Sequence, residues 1–301
     1  MRERLTIQNR FNLKALPTSR SNDLFKDGVR IERGFLSSAI IETINRELDV
    51  LFEQPVMGTR YNGALKLDKH VKSISHPTNL SSINVLELAI DIFDLVVPLS
   101  KKDDYIVTNI EIFSEVGNKK RLFWHCDKRK IAYKALLYLK TSAASSGGLE
   151  YMWGTHTPEF AHTVERKLSS AEIDCLSRNI VDCSGVAGDL VMFDVFGFHC
   201  KKECVNERRA LFFEFQTATS NRSKAYININ NQQLTQKVLS KLKYFRMGDN
   251  SDLYGTHGLD GLNNAPRLYV SGLIEVILFL TSKFIQKIRN KTKALKTRLK
   301  I

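Results

Sequence analysis

Trp124-His125-Cys126-Asp127 places an imidazole and a carboxylate two residues apart. On an extended segment alternate side chains share a face, so His125 and Asp127 project together while Cys126 points away. One neutral imidazole and one carboxylate on a common face are two adjacent ligands for a divalent metal. In a chain with seven histidines, that pair alone reads better as a partly buried strand end. A second stretch changes the balance. Gly188-Asp189-Leu190-Val191-Met192-Phe193-Asp194 runs on through Phe198 into His199, a strand followed by a further imidazole. His125, Asp127 and His199 together form a two-histidine, one-carboxylate set, which on Fe(II) leaves three positions open. Two of them can chelate a 2-oxo acid and the third can take dioxygen. A fully coordinated metal could do neither.

Glu207-Arg208-Arg209-Ala210-Leu211 opens an apolar strand. A guanidinium beside the metal can hold the far carboxylate of a 2-oxo acid through paired hydrogen bonds, which a flexible lysine does less well. Alternation lets only one of the two arginines face inward. The other belongs to a solvated strand start.

These residues need a scaffold that brings distant segments together. Ile41, Ile44, Leu48 and Leu51 recur at helical spacing and predict a helix from about Ser38 to Phe52, after a short strand and turn over Gly28–Leu36. Val85, Leu88, Ala89, Ile92 and Phe93 predict a second helix over Ser82–Leu95. The period then changes to two. Tyr105–Phe113, Ile131–Leu139, Gly188–Asp194 and Arg208–Phe215 read as strands separated by Gly, Ser and Asn clusters. Ser169-x-x-Glu172 is a capping box opening a short helix to about Leu176. Helices followed by a run of strands without regular crossover helices predict an α+β, mainly β fold with an antiparallel core. No Gly-rich phosphate loop is present, which disfavours the nucleotide-binding folds.

Composition bounds the function classes. With 301 residues, 43% hydrophobic and 26% charged, disorder and a polytopic membrane protein are excluded. Five scattered cysteines form no disulfide framework, and Cys200 with Cys204 reads as two reduced thiols. The charged start, Met1–Thr18, shows no secretory signal, so a cytoplasmic setting is the expectation. Net charge is +13, but the last nineteen residues carry eight basic side chains and no acid, leaving +5 on the other 282. A mildly basic body with a basic tail argues against a nucleic-acid partner, which selects a basic stripe on the folded surface.

Taken in order, these motifs resemble the phytanoyl-CoA dioxygenase-like family of Fe(II)/2-oxoglutarate oxygenases. Trp124-His125-Cys126-Asp127 matches its Trp-His-x-Asp. Ala135-Leu136-Leu137-Tyr138-Leu139, Gly147-Gly148-Leu149-Glu150 and Gly154-Thr155-His156 match its strand, Gly-rich turn and Gly-Ser/Thr-His run. The strand before His199 and Arg208-Arg209-Ala210-Leu211 complete a resemblance spanning about Gly28 to Phe215. It implies a double-stranded β-helix, or jelly roll, with flanking N-terminal helices. It also implies Fe(II) on His125, Asp127 and His199, and 2-oxoglutarate as co-substrate anchored by Arg208. The retained Asp127 implies a hydroxylase type, since halogenating relatives lack that carboxylate. Two positions depart from the pattern. Arg208 follows His199 by nine residues, about two fewer than usual, and Lys201 stands where some members have a small hydroxyl residue. His156 reads as structural, pinning its loop. Lys134, on a strand near the metal, could help with a carboxylate, but an outward, solvated side chain is the favoured reading.

The expected activity is hydroxylation of a C–H bond in a small or lipid-like metabolite by dioxygen, with release of succinate and carbon dioxide. The alternatives are a jelly-roll binding protein without catalysis and a membrane-surface assembly protein. The chain divides into an oxygenase domain, 1–225, and a C-terminal extension, 226–301. In the extension Leu273, Ile277, Leu280, Phe284 and Ile288 form an apolar stripe running into the basic end. This stripe reads either as a helix packed on the barrel or in a dimer, or as an interfacial helix in peripheral contact with an anionic membrane.

Overall fold

The computed structural model describes residues 11–53, 71–75, 80–98, 104–117, 123–127, 131–142, 147–157, 159–160, 167–217 and 234–245. Two antiparallel sheets face each other, and helices cover the outside of the larger one. The larger sheet has six strands: β1 (Val29–Glu32), β2 (Val71–Ser75), β3 (Tyr105–Glu115), β4 (Ile131–Tyr138), β7 (Leu190–Asp194) and β9 (Arg208–Thr217), in the order β1-β7-β4-β9-β3-β2. The smaller sheet, ordered β6-β5-β8, pairs β5 (Leu149–Met152) with β6 (Ile180–Asp182) and β8 (His199–Lys201). Single bridges from His125 to His199 and to Lys167 extend it past β8.

Period two decides what each face of the large sheet holds. On β9, Leu211, Phe213 and Phe215 turn outward, joined by Ala135 and Leu137 of β4 and Ile110 and Ile112 of β3. They meet α2 (Ser38–Glu53), which buries Ile41, Ile44 and Leu48, and α3 (Val85–Val96), which buries Leu86, Ala89, Ile92 and Phe93. Each of the buried Leu, Ile and Phe side chains among these contributes about 1.5–3 kcal/mol by leaving water. Asn84 caps α3 by accepting from the backbone N–H groups of Leu86 and Glu87 at 3.1 and 3.2 Å. The intervening residues turn inward. Leu136 and Tyr138 of β4, Val191 and Phe193 of β7, and Ala210 of β9 pack there against Leu149, Tyr151 and Trp153 of the small sheet.

The two long helices and the four strands expected from periodicity are present, β3 extending to Glu115 and β9 to Thr217. Ser169 opens α4 (Ser170–Leu176) with the full capping box, its hydroxyl and backbone N–H both donating to Glu172. The short strands β2, β5, β6 and β8 carry no readable alternation of their own. A helix of five residues, α5 (Gln236–Ser240), follows the sheets, and Val238, Tyr244 and Phe245 enter the core cluster of α3. Residues 234–245, within the sequence-assigned extension, therefore pack on the large sheet. The apolar stripe and basic end lie outside the described residues. Among the described residues no helix is long and apolar enough to cross a membrane. None of the five cysteines forms a disulfide.

Candidate metal centre and co-substrate pocket

His125 and His199 are a reciprocally hydrogen-bonded backbone pair. His125 N donates to His199 O at 3.1 Å and His199 N to His125 O at 2.8 Å. Directly opposed residues of an antiparallel pair project to one face, and the two rings lie 4.5 Å apart between centroids. Asp127, two residues on, shares that face, and its N–H donates to Val195 O at 2.9 Å. Trp124 and Cys200, of the opposite parity, turn away into an apolar cluster with Phe11, Phe160 and Phe198. Trp124 thus anchors the segment from behind while its neighbours face the barrel.

The ligand atoms of His125, Asp127 and His199 all lie within 4.8 Å of one another. His125 Nδ1 lies 2.9 Å from Phe123 O, and His199 Nδ1 lies 2.9 Å from Gly197 O. A carbonyl oxygen only accepts, so both Nδ1 atoms carry hydrogen and both Nε2 lone pairs are left for a metal. Burial holds the His199 imidazole well below its ordinary range, with Asp127 opposing and His125 reinforcing the effect. His199 is therefore neutral near pH 7, the form that ligates. At Gly197 a Cβ would lie 1.8 Å from the Tyr151 hydroxyl, which itself donates to Asp194 O. Only glycine lets that turn pass close enough to present its carbonyl to His199.

Asp127 has its second oxygen held. Lys134 Nζ donates to Oδ2 at 2.6 Å and lies 3.6 Å from Glu214 Oε1, while Oδ1 lies 3.7 Å from His125 Nε2. This corrects the reading of Lys134 as solvated. It sits on β4 with the parity of Leu136 and Tyr138, so its stem enters the barrel, and its register partner on β9 is Glu214. Burial works to raise the Asp127 carboxyl, but the charges of Lys134, His199 and His125 outweigh it and the net direction is down. Burial likewise pulls Lys134 down, and Glu214 and Asp127 reverse that.

The two arginines separate as alternation requires, but neither is solvated: Arg209, read as part of a solvated strand start, is buried against the helix side because Asp49, Asn45 and Glu207 compensate its charge there. Arg208, 6% exposed, has no hydrogen-bond partner for Nε or Nη1, and its guanidinium lies 4.9 Å from the inward ring of Phe113. Arg209, 4% exposed, points to the helix side and bonds Glu207, Asn45 and Asp49. Lys201 shares its face of β8 with His199 and pairs with Glu115, the register partner of Arg208. The line from His199 to Arg208 is therefore one inward surface. His156 Nε2 lies 3.2 Å from Phe25 O, which ties its loop to the α1 (Leu24–Asp27) turn.

The donor set suits the metal that the sequence resemblance implies. It offers two imidazoles and one oxygen of a carboxylate, with ring tautomers fixed from behind, and a buried guanidinium with unused donors on the same inner surface. Sequence reasoning missed the inward Lys134 and Glu214. Parity could have found both, since Glu214 stands six residues from Arg208 on β9.

No protein-family model and no curated protein matches the sequence. Among solved structures the chain is similar to EctD from S. alaskensis in its apoform, with 14% identity, TM-score 0.52, and 74% of this chain and 84% of that one covered. It is also similar to HygX from Streptomyces hygroscopicus with nickel and 2-oxoglutarate bound, at 15% identity, TM-score 0.46, and coverage of 65% and 85%. A third is the non-heme alpha ketoglutarate dependent carbocyclase SnoK from nogalamycin biosynthesis, at 14% identity, TM-score 0.47, and coverage of 65% and 81%. At such identities likeness speaks to fold. The fold is the jelly-roll double-stranded β-helix that the sequence motifs implied.

Proposed function

We propose that the protein is an Fe(II)- and 2-oxoglutarate-dependent oxygenase that hydroxylates a C–H bond of a small molecule. The observation that carries this reading is the convergence of the His125, Asp127 and His199 ligand atoms within 4.8 Å, with both Nδ1 atoms already committed to carbonyls. His125 Nε2, His199 Nε2 and Asp127 Oδ1 are assigned as the protein ligands. Lys134 keeps Oδ2 out of the coordination sphere, which preserves open positions. Arg208 is assigned to the far carboxylate of 2-oxoglutarate, because its Nε and Nη1 have no acceptor among the described residues and suit a bidentate one. On that inner surface Phe113 lies against the Arg208 guanidinium and Phe193 against the His199 ring.

When bound, the iron supplies the oxidising chemistry, with 2-oxoglutarate as the reductant for dioxygen. The balance is 2-oxoglutarate, dioxygen and R–H giving succinate, carbon dioxide and R–OH, with one oxygen atom in succinate and one in the alcohol. Of the neighbours named above, one is reported with nickel and 2-oxoglutarate and one as a carbocyclase, so hydroxylation is the narrower part of the proposal. Retention of the Asp127 carboxylate supports it. Anaerobic Fe(II) titration of the full chain, followed by succinate measurement on admitting air with 2-oxoglutarate, tests the reading. One iron per chain and succinate formation are expected, both lost in His199→Ala. Parent-like iron binding in His125→Ala and His199→Ala would overturn it.

A further inference from the structure

Beside the proposed metal centre, the inner wall carries hydrogen-bond acceptors that nothing among the described residues satisfies. Glu111 on β3 lies opposite Phe212 of β9 in register, and Asn109 lies opposite Glu214. Glu111 is therefore the diagonal neighbour of Glu214 on the same inward face, with Gln216 two residues further along. Glu111 is 9% exposed and its Oε1 has no partner; Gln216 is 6% exposed and its Oε1 has none either. Buried acceptors without partners are rare in folded proteins. Two on one wall mark a surface built for a donor brought from outside.

Charge on this inner surface points to the kind of donor. Glu115 is paired with Lys201, and Glu214 and Asp127 share Lys134. A metal at Asp127 adds positive charge there, and the unused donors of Arg208 face a dianionic co-substrate. Glu111 is left with neutral partners, the side chains of Ser73 and Asn109. It is a buried carboxyl with a vacant oxygen and no cation assigned to it. Burial, opposed by Ser73 and reinforced by Glu214, pushes the Glu111 carboxyl up. An incoming cation would reverse that by supplying the charge the wall lacks.

Resting on the oxygenase reading above, we infer that the substrate carries a protonated amine, received by Glu111 with Gln216 as the flanking acceptor. The ammonium supplies several N–H donors to oxygens that otherwise have none, and a neutral hydrocarbon or acyl chain would leave them unpaired. Discrimination by buried polar groups of this kind is steep, because the wrong ligand strands them. The site therefore selects amines over isosteric alcohols and rejects carboxylates.

Matched probes test this on the full chain: cyclohexylmethylamine, cyclohexylmethanol and cyclohexanecarboxylate. Each is titrated by ligand-observed NMR into metal-free protein and into protein holding Zn(II) and 2-oxoglutarate. The amine is expected to bind at least about tenfold tighter than the alcohol, and the carboxylate not at all. Glu111→Gln should bring amine and alcohol within about twofold, whereas Gln216→Glu should widen the gap. The surface variant Asp91→Asn on α3 should leave it as in the parent. Equal binding of amine and alcohol by the parent, or a preference that survives Glu111→Gln, would overturn the inference. If Glu111→Gln does not fold, an unchanged preference in Gln216→Glu overturns it instead. Zn(II) and 2-oxoglutarate occupancy in the same samples keeps the two claims apart. Normal occupancy without amine preference defeats only the substrate class, whereas failure to hold the metal defeats the oxygenase reading.

Discussion

The two faces of the six-stranded sheet treat the same residue type in opposite ways. Arg208 and Arg209 are adjacent and comparably buried, at 6% and 4% exposure. Outward, Arg209 is satisfied: Glu207 accepts at 2.8 Å, Asp49 at 2.7 Å and Asn45 Oδ1 at 3.0 Å, with Phe52 under the guanidinium. Inward, Arg208 meets an aromatic face and keeps Nε and Nη1 unpartnered. The outer face completes its bonding within the protein and so stabilises the fold. The inner face pairs Lys134 and Lys201 with carboxylates but leaves Arg208 Nε and Nη1 without partners, which costs stability. The same split recurs on β3, where Ile110 and Ile112 fill the helix interface while Glu111 keeps a vacant oxygen.

The largest effect that sharpens the contrast falls on ligand binding. Arg208→Met should weaken 2-oxoglutarate binding to the metal-loaded protein by on the order of 2–5 kcal/mol. Its melting temperature should be no lower than the parent's, because an uncompensated buried charge has been replaced by an apolar side chain. Calorimetric titration and a thermal melt of the same sample read both. Arg209→Met should do the reverse. Stability should fall by about 2 kcal/mol as Glu207 and Asn45 lose their donor, with 2-oxoglutarate affinity unchanged. Comparable losses of co-substrate affinity in both variants would break the distinction between the faces.

A smaller effect concerns acid. Burial works to raise the Glu207 carboxyl, but Lys140, Ser114 and Arg209 outweigh it and hold it down at about 2. A folded value below the unfolded one stabilises the protein above the ordinary value of 4.5. That stabilisation is lost as pH falls from there toward about 2. The melting temperature should therefore drop over this window, and Glu207→Gln should flatten the drop. An acid limb identical in parent and variant would remove Glu207 from the outer network's contribution.

The long amphipathic elements were legible because burial on one side imposes a period. The stripe of Ile41, Ile44 and Leu48 and the alternation of β9 each have enough turns to show it. Strands β5, β6 and β8 were not legible, since three or four residues define no period and their faces are set by partners far along the chain. His125, Asp127, His199 and Arg208 could be singled out by residue type and order. Their convergence could not, because it depends on the cross-strand pairing of His125 with His199. Lys134 was misread for a related reason. A lone lysine in an apolar strand looks like a solvated position until Asp127 and Glu214 are seen around its ammonium. Glu111 carried no local signal at all, since its vacancy is defined by what its neighbours do not supply.

The most direct test of the central claim is visible absorption of the anaerobic Fe(II) protein as 2-oxoglutarate is added. Chelation of iron by the 2-oxo acid gives a charge-transfer band that neither component gives alone. The proposed centre predicts a saturable band at one equivalent of iron, absent in His199→Ala, and reached in Arg208→Met only at far higher 2-oxoglutarate. No band in the parent despite bound iron, or an undiminished band in His199→Ala, would contradict the assignment of His125, Asp127 and His199 as the centre that takes the co-substrate.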